Sequence, residues 1–285
     1  MLEDKLRRAA FGDLPWLPLG EVPVSASSGS PRVRLLSAVL LGAKGRYAAA
    51  MTILDELRHG PDRLFASLAT STLASHRRQL GGHAAARRLD GVALLMATTA
   101  AEAPTDADGL DVPGAICDAL LGLAADNLAI GRIPAARRLA ASASRVPCGW
   151  RGEVRAGWVG AEIELAAGRP EAAVAPAEAA AGLAHGRGAV RHSIKSDLVL
   201  GASLSAAGGA DGRERAANLV STALEAAEKG EFSSLIWPAC LIAVDIRADL
   251  AEVYRFRSAQ VLHAVLRHAD ARGRRIARQS PWVPT

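Results

Sequence analysis

Five glycines, at positions 45, 81, 131, 168 and 212, sit in one shared frame of small residues, and that frame limits what the chain can fold into. Seven residues before each stands Ala38, Ala74, Ala124, Ala161 or Ser205, and five residues after stands Ala50, Ala86, Ala136, Ala173 or Ala217. Twelve residues after stands Leu57, Ala93, Ala143, Ala180 or Leu224. Alanine is common here, but glycine is only 27 of 285 residues, and four of the five reference glycines are followed directly by arginine, so the joint pattern marks an internal repeat. The references lie 36, 50, 37 and 44 residues apart, and two of these spacings are close to the period of a helical-hairpin array. The 50-residue gap holds the loop-forming EAPTDADGLDVPG (residues 102–114); the 44-residue gap holds GLAHGRG and AAGGADG.

Each unit reads as two helices. Val154, Trp158, Ala161 and Leu165 share one helical face before Gly168, and Ala173, Ala177, Ala180 and Ala184 share another after it. Pro170 and Glu171 suit the first turn of that second helix, where no N–H is lost and a carboxylate meets the positive end of the dipole. The unit opening at Pro113 follows the same scheme with Ile116, Leu120 and Leu123, then Pro134 after the turn. Aromatics are 4% of the chain, too few for a β-sandwich or barrel, while alanine, leucine and arginine favour helix. An all-α fold is expected, because a single hairpin cannot bury both its faces and a stack of hairpins can.

The small residue, turn glycine and alanine of each unit resemble the tetratricopeptide repeat over roughly residues 31–228. Tyr47 fills the aromatic position after the turn; His83, Ile133, Pro170 and Glu214 stand there in the other units. The resemblance implies a right-handed superhelical array of antiparallel helix pairs, with about five hairpins over 31–228 and a loop insertion near 101–114. It also implies a concave groove, lined by the first helix of each unit, that receives another protein or a peptide. Counting back from the turns places Arg32, Arg78, Asp118, Arg155, Trp158 and Glu162 near that surface, and function is expected to be that of an interaction scaffold or regulatory adaptor. Residues 1–30, rich in proline, glycine and serine, read as an irregular N-terminal arm, 229–275 as capping helices and 276–285 as a tail.

The chemistry-bearing patterns are weak by comparison. GAKGRYAAAMTIL (42–54) has a glycine pair around Lys44, but a phosphate loop needs Gly-Lys-Ser/Thr after a strand, and neither is present. The histidines lack a metal-ligand spacing, and Cys117, Cys148 and Cys240 are too scattered for a zinc site or disulfide framework. No catalytic, cofactor-binding or metal-binding residue is therefore expected, and no cofactor. An enzyme with a site inside the superhelix is the weakest of the readings. With net charge +5 and pI near 9.5, the arginine-rich C-terminus (Arg272, Arg274, Arg275, Arg278, then Trp282) is a candidate for nucleic-acid contact. The N-terminus lacks a signal-peptide core, and the most apolar stretch is interrupted by Asp118 and Asp126, so a cytoplasmic protein without membrane contact is expected.

Overall fold

The computed structural model describes residues 2–23 and 29–284, and these form an all-α protein with no strand among the described residues. A first helix, α1 (Leu2–Phe11), is followed by six consecutive pairs. They are α2 (Pro31–Ala43) with α3 (Tyr47–Arg58), α4 (Arg63–Gln79) with α5 (His83–Thr98), and α6 (Val112–Ala129) with α7 (Ile133–Ala143). Then come α8 (Gly149–Ala166) with α9 (Pro170–Gly186), α10 (Val190–Ala207) with α11 (Ala210–Lys229), and α12 (Ser233–Ile246) with α13 (Ala251–Arg267). A short helix, α14 (Ala271–Gln279), follows.

Four of the five reference glycines make the turn inside a pair. Gly45, Gly81, Gly131 and Gly168 have φ between 70 and 77°, the left-handed region that a Cβ disfavours. In each, the next N–H reaches back five residues: Arg46 N donates to Leu41 O (2.8 Å), Gly82 N to Arg77 O (2.8 Å), Arg132 N to Asn127 O (2.8 Å) and Arg169 N to Glu164 O (3.0 Å). This satisfies a carbonyl that the helix end would leave without a partner. The fifth assignment is corrected. Gly212 lies inside α11, and the turn is made four residues earlier by Gly208 and Gly209 (φ 83 and 80°). The Gly-Arg pair at 212–213 imitates the turn signal, but a double glycine breaks the helix before it.

The small residues have a common role. Ala38, Ala50, Ala74, Ala86, Ala93, Ala124, Ala136, Ala161 and Ala173 are all fully buried, each allowing one helix to approach its neighbour closely. A larger side chain at such a crossing would cost about 1–3 kcal/mol in displaced packing.

The N-terminal arm also differs from its reading. Residues 2–11 are helical, with Glu3 and Asp4 in the first turn and Arg8 in the last, and they bury Leu6, Ala9, Ala10 and Phe11. Of the remainder, Leu19–Glu21 form a 3-10 turn, and 24–28 lie outside the described residues. The boundary read at 275/276 falls inside α14, so the tail arginines stand on a helix rather than on an extended end.

The array returns on itself. The first helices touch in the order α2, α4, α6, α8, α10, α12, and α12 meets α2 again. Lys44, at the first turn, is buried and donates to the Gly230 carbonyl (3.3 Å) and to Glu231 (3.0 Å) at the turn before α12. Ala48 N donates to His268 O (2.8 Å), and Arg77 on α4 donates to Asp270 (2.6 Å) at the N-cap of α14. α14 then covers the second turn, with Ile276 against Gly82 and Ser280 against Gly81. At the other end, Val190 N of α10 donates to Gly12 O just after α1 (3.1 Å).

Asp270 serves this closure twice, as counter-ion of buried Arg77 and as N-cap acceptor for Gly273 N (3.0 Å). Burial works against its charge, but Arg77 and the Gly273 amide outweigh it, and the carboxyl stays below its ordinary range. Asp270→Ala should therefore destabilise the fold by about 3 kcal/mol at pH 7 in denaturant unfolding. A depressed carboxyl stabilises above its unfolded value, so the difference from wild type should shrink as pH falls below about 3.9.

Candidate functional site

The return of α12 to α2 frames a central, partly open cavity of about 270 Å³, to which all six first helices contribute side chains. Five of its lining residues are cationic: Arg78 on α4, Arg151 and Arg155 on α8, and Arg191 and Lys195 on α10. The spacing explains the grouping, since Arg151 and Arg155, like Arg191 and Lys195, lie one helical turn apart on one face.

Most of this charge is neutralised inside the wall. Arg78 donates to Asp126 through Nε (2.8 Å) and Nη2 (3.1 Å) and also pairs with Asp90. Burial alone would lower the pKa of Arg78, but these two carboxylates raise it above its ordinary value. Burial is also the largest influence on Asp90 and raises its carboxyl, with the neighbouring Arg78 opposing that shift. Asp118 on α6 accepts from Arg151 (2.8 Å) and pairs with Arg155. These two arginines outweigh the burial that opposes its charge and hold its carboxyl below the usual range. Lys195 donates to Glu162 (3.3 Å) and lies 5.8 Å above the Trp158 ring.

Arg191 is the exception. Among the described residues no carboxylate lies within ion-pair distance; its Nε donates to the Ala10 carbonyl at the end of α1 (3.3 Å). Burial first, then repulsion from Arg151 and Arg155, brings its pKa down to about 10. It also stands in the first turn of α10, where the helix dipole is positive. Beside it, His192 is surrounded by aromatic rings: Trp150 edge-on at 5.0 Å, Trp158 stacked at 5.7 Å and Phe11 tilted at 6.0 Å.

His76 closes the α4 side. Its ring stacks on Tyr47 at 4.9 Å and leans on Gly42, where an added Cβ would come within 2.0 Å of Nε2. The Nδ1 atoms of His76 and His192 are buried without a hydrogen-bond partner among the described residues. Burial, reinforced by Arg191, lowers both rings' pKa values, His76 to about 3 and His192 well below 6.5, so both are neutral at pH 7.

Of the six residues placed near the concave surface from sequence, Arg78, Asp118, Arg155, Trp158 and Glu162 line this cavity. Arg32 does not. It sits in the first turn of α2 and pairs with Asp106 in the 99–111 loop and with Glu3 (3.6 Å). Trp158 both faces the cavity and packs against two hydrophobic cores, and its indole N–H donates to Ser196 Oγ (2.8 Å). Sequence reading missed Arg151, Arg191, Lys195 and the two histidines. The C-terminal arginines are remote from the cavity: Arg272, Arg275 and Arg278 are exposed on α14, while Arg274 turns back to the Ala269 carbonyl.

No protein-family model matches the chain, and a search of characterised proteins returns no match.

A histidine held neutral in the fold but free to take a proton when unfolded favours unfolding as pH drops. Between its unfolded value near 6.5 and its folded value near 3, His76 should lower stability with decreasing pH. The melting temperature should therefore fall from pH 7 to pH 4, and His76→Gln should flatten that dependence.

Proposed function

We propose that the chain is a cytoplasmic, partner-binding module built on repeats similar to the tetratricopeptide repeat, acting as a regulatory adaptor through its central cavity. The observation that carries this reading is the convergence of all six first helices on one partly open cavity lined by arginine, lysine, histidine and Trp158. Buried polar groups are expensive to gather, and a structural core alone would favour apolar residues at these positions. Aromatic and arginine side chains in a desolvated recess are what binding hot spots are made of. The cavity's own carboxylates, Asp118 and Glu162, are each held by cationic partners, which favours recognition over proton-transfer chemistry.

A second reading has one observation behind it. Arg272, Arg275 and Arg278 lie along one exposed face of α14 beside Trp282, which is 61% exposed, an arrangement suited to a nucleic-acid backbone. Binding of this kind would weaken steeply with salt and would not respond to changes in the cavity.

Affinity capture from the native cell tests the first reading. Wild-type protein should retain a partner that is lost with Trp158→Ala and with the cavity-filling Ser75→Trp, but kept with Glu225→Ala on the outer helix α11. Capture that is indifferent to Ser75→Trp would remove the cavity from the function.

A further inference from the structure

The ionic groups around the cavity leave one cation over. Arg78, Arg151, Arg155, Arg191 and Lys195 face four carboxylates, those of Asp90, Asp118, Asp126 and Glu162, and every cation but Arg191 is paired with at least one of them. A partly buried guanidinium without a counter-ion is costly, more so beside two other arginines and at a helix N-terminus. Arg191 could be replaced by an apolar residue of similar length with a gain in stability, unless something with negative charge occupies the space beside it.

Resting on the reading that the cavity is the binding site, we propose that it holds a subsite for a carboxylate monoanion, with Arg191 as its counter-ion and the aromatic group around His192 receiving the body of the ligand. Charge and shape both favour a carboxylate. One uncompensated cation matches one negative charge, whereas a phosphate dianion would require another cation to abandon its partner in the wall. The planar guanidinium offers two parallel N–H donors to a planar two-oxygen acceptor. His192 lines the cavity next to Arg191, and its buried Nδ1 has no partner among the described residues. Phe11 and Trp158 flank that ring and also line the cavity, so the group attached to the carboxylate meets aromatic surface. A cavity of about 270 Å³ takes a small organic acid or the end of a peptide, and both present the same carboxylate.

The test uses the full chain and three probes: benzoate, its neutral counterpart benzamide, and inorganic phosphate. Calorimetric titration at pH 7 should show benzoate binding at least about tenfold more tightly to wild type than to Arg191→Met, with benzamide weaker than benzoate on wild type by a similar factor. Arg191→Met removes an unpaired, partly buried charge, so its melting temperature without ligand should equal or exceed that of wild type, which separates lost binding from lost folding. Arg191→Lys, which keeps the charge but not the fork, should recover only part of the affinity. A tripeptide with a free C-terminal carboxylate, compared with its C-terminal amide, distinguishes a peptide terminus from a free acid as the source; binding of either carboxylate supports the subsite. Equal benzoate affinity in wild type and Arg191→Met, phosphate binding more tightly than benzoate, or no carboxylate binding at all would each overturn it. Partner capture by wild type, together with equal benzoate affinity in wild type and Arg191→Met, would leave the adaptor reading standing while this subsite falls. Carboxylate binding that depends on Arg191, with no partner captured, would do the reverse.

Discussion

Close approach between helices, made possible by buried alanine, is the constraint from which the rest of the structure follows. Ala38, Ala74, Ala124 and Ala161 stand at the same place in four successive first helices and are fully buried. With no side chain beyond Cβ at those crossings, successive pairs pack closely, and the first helices come round to meet again after six pairs. A row of leucines at the same positions would hold the pairs further apart and leave the ends separate. Curvature then fixes the chemistry. Residues on the inward faces of the first helices are drawn toward one centre, so polar side chains there must find partners across the cavity or between adjacent helices.

The pairing that results is unevenly shared. Asp118 on α6 serves two arginines from α8, and Arg78 on α4 is held by Asp90 from α5 and Asp126 from α6, so each ionic cluster also ties one helix pair to the next. Such clusters contribute more to fixing one arrangement of neighbours than to net stability, since desolvation offsets much of the attraction. They also explain how Asp118 and Asp126 sit in α6, which is long and apolar enough to cross a membrane by length and composition alone. Both carboxylates are buried against arginine.

Much of the fold was legible because its signals are local. A glycine in the left-handed conformation, an alanine at fixed distances on either side and a proline at a helix start are all written within about 20 residues, and four of the five turns could be placed from them. The fifth failed because Gly208–Gly209 and Gly212–Arg213 compete for one role, and that error hid part of the site. Counted from Gly168, Arg151 and Arg155 are seventeen and thirteen residues back; counted from the true turn at Gly208, Arg191 and Lys195 occupy the same two places. With the register set on Gly212, that repetition of cations is invisible. Arg32 shows the opposite failure: it stands thirteen residues before Gly45, as Arg155 stands before Gly168, yet the loop at 99–111 supplies Asp106 and draws it away from the cavity. Closure was not legible at all. Lys44 meets Gly230 across 186 residues and Arg77 meets Asp270 across 193, and no local pattern encodes contacts of that range.

Closure also bears on what kind of partner suits the cavity. An open superhelix can change its pitch and admit an extended chain along its groove, because only neighbouring repeats touch. Here Lys44, Ala48 and Arg77 attach the first two pairs to the segment from Gly230 to Asp270, and α14 covers the turn at Gly81. Widening the cavity would require breaking a buried ion pair and exposing Leu80, which is completely buried in the core that also holds Ala277 and Val283. The cost of that opening sets a limit on the size of anything that enters. On the proposed reading, a small acid or one terminus of a larger partner suits a cavity of about 270 Å³ better than a long segment does. On that reading, the contacts that close the array would act on specificity as well as on stability.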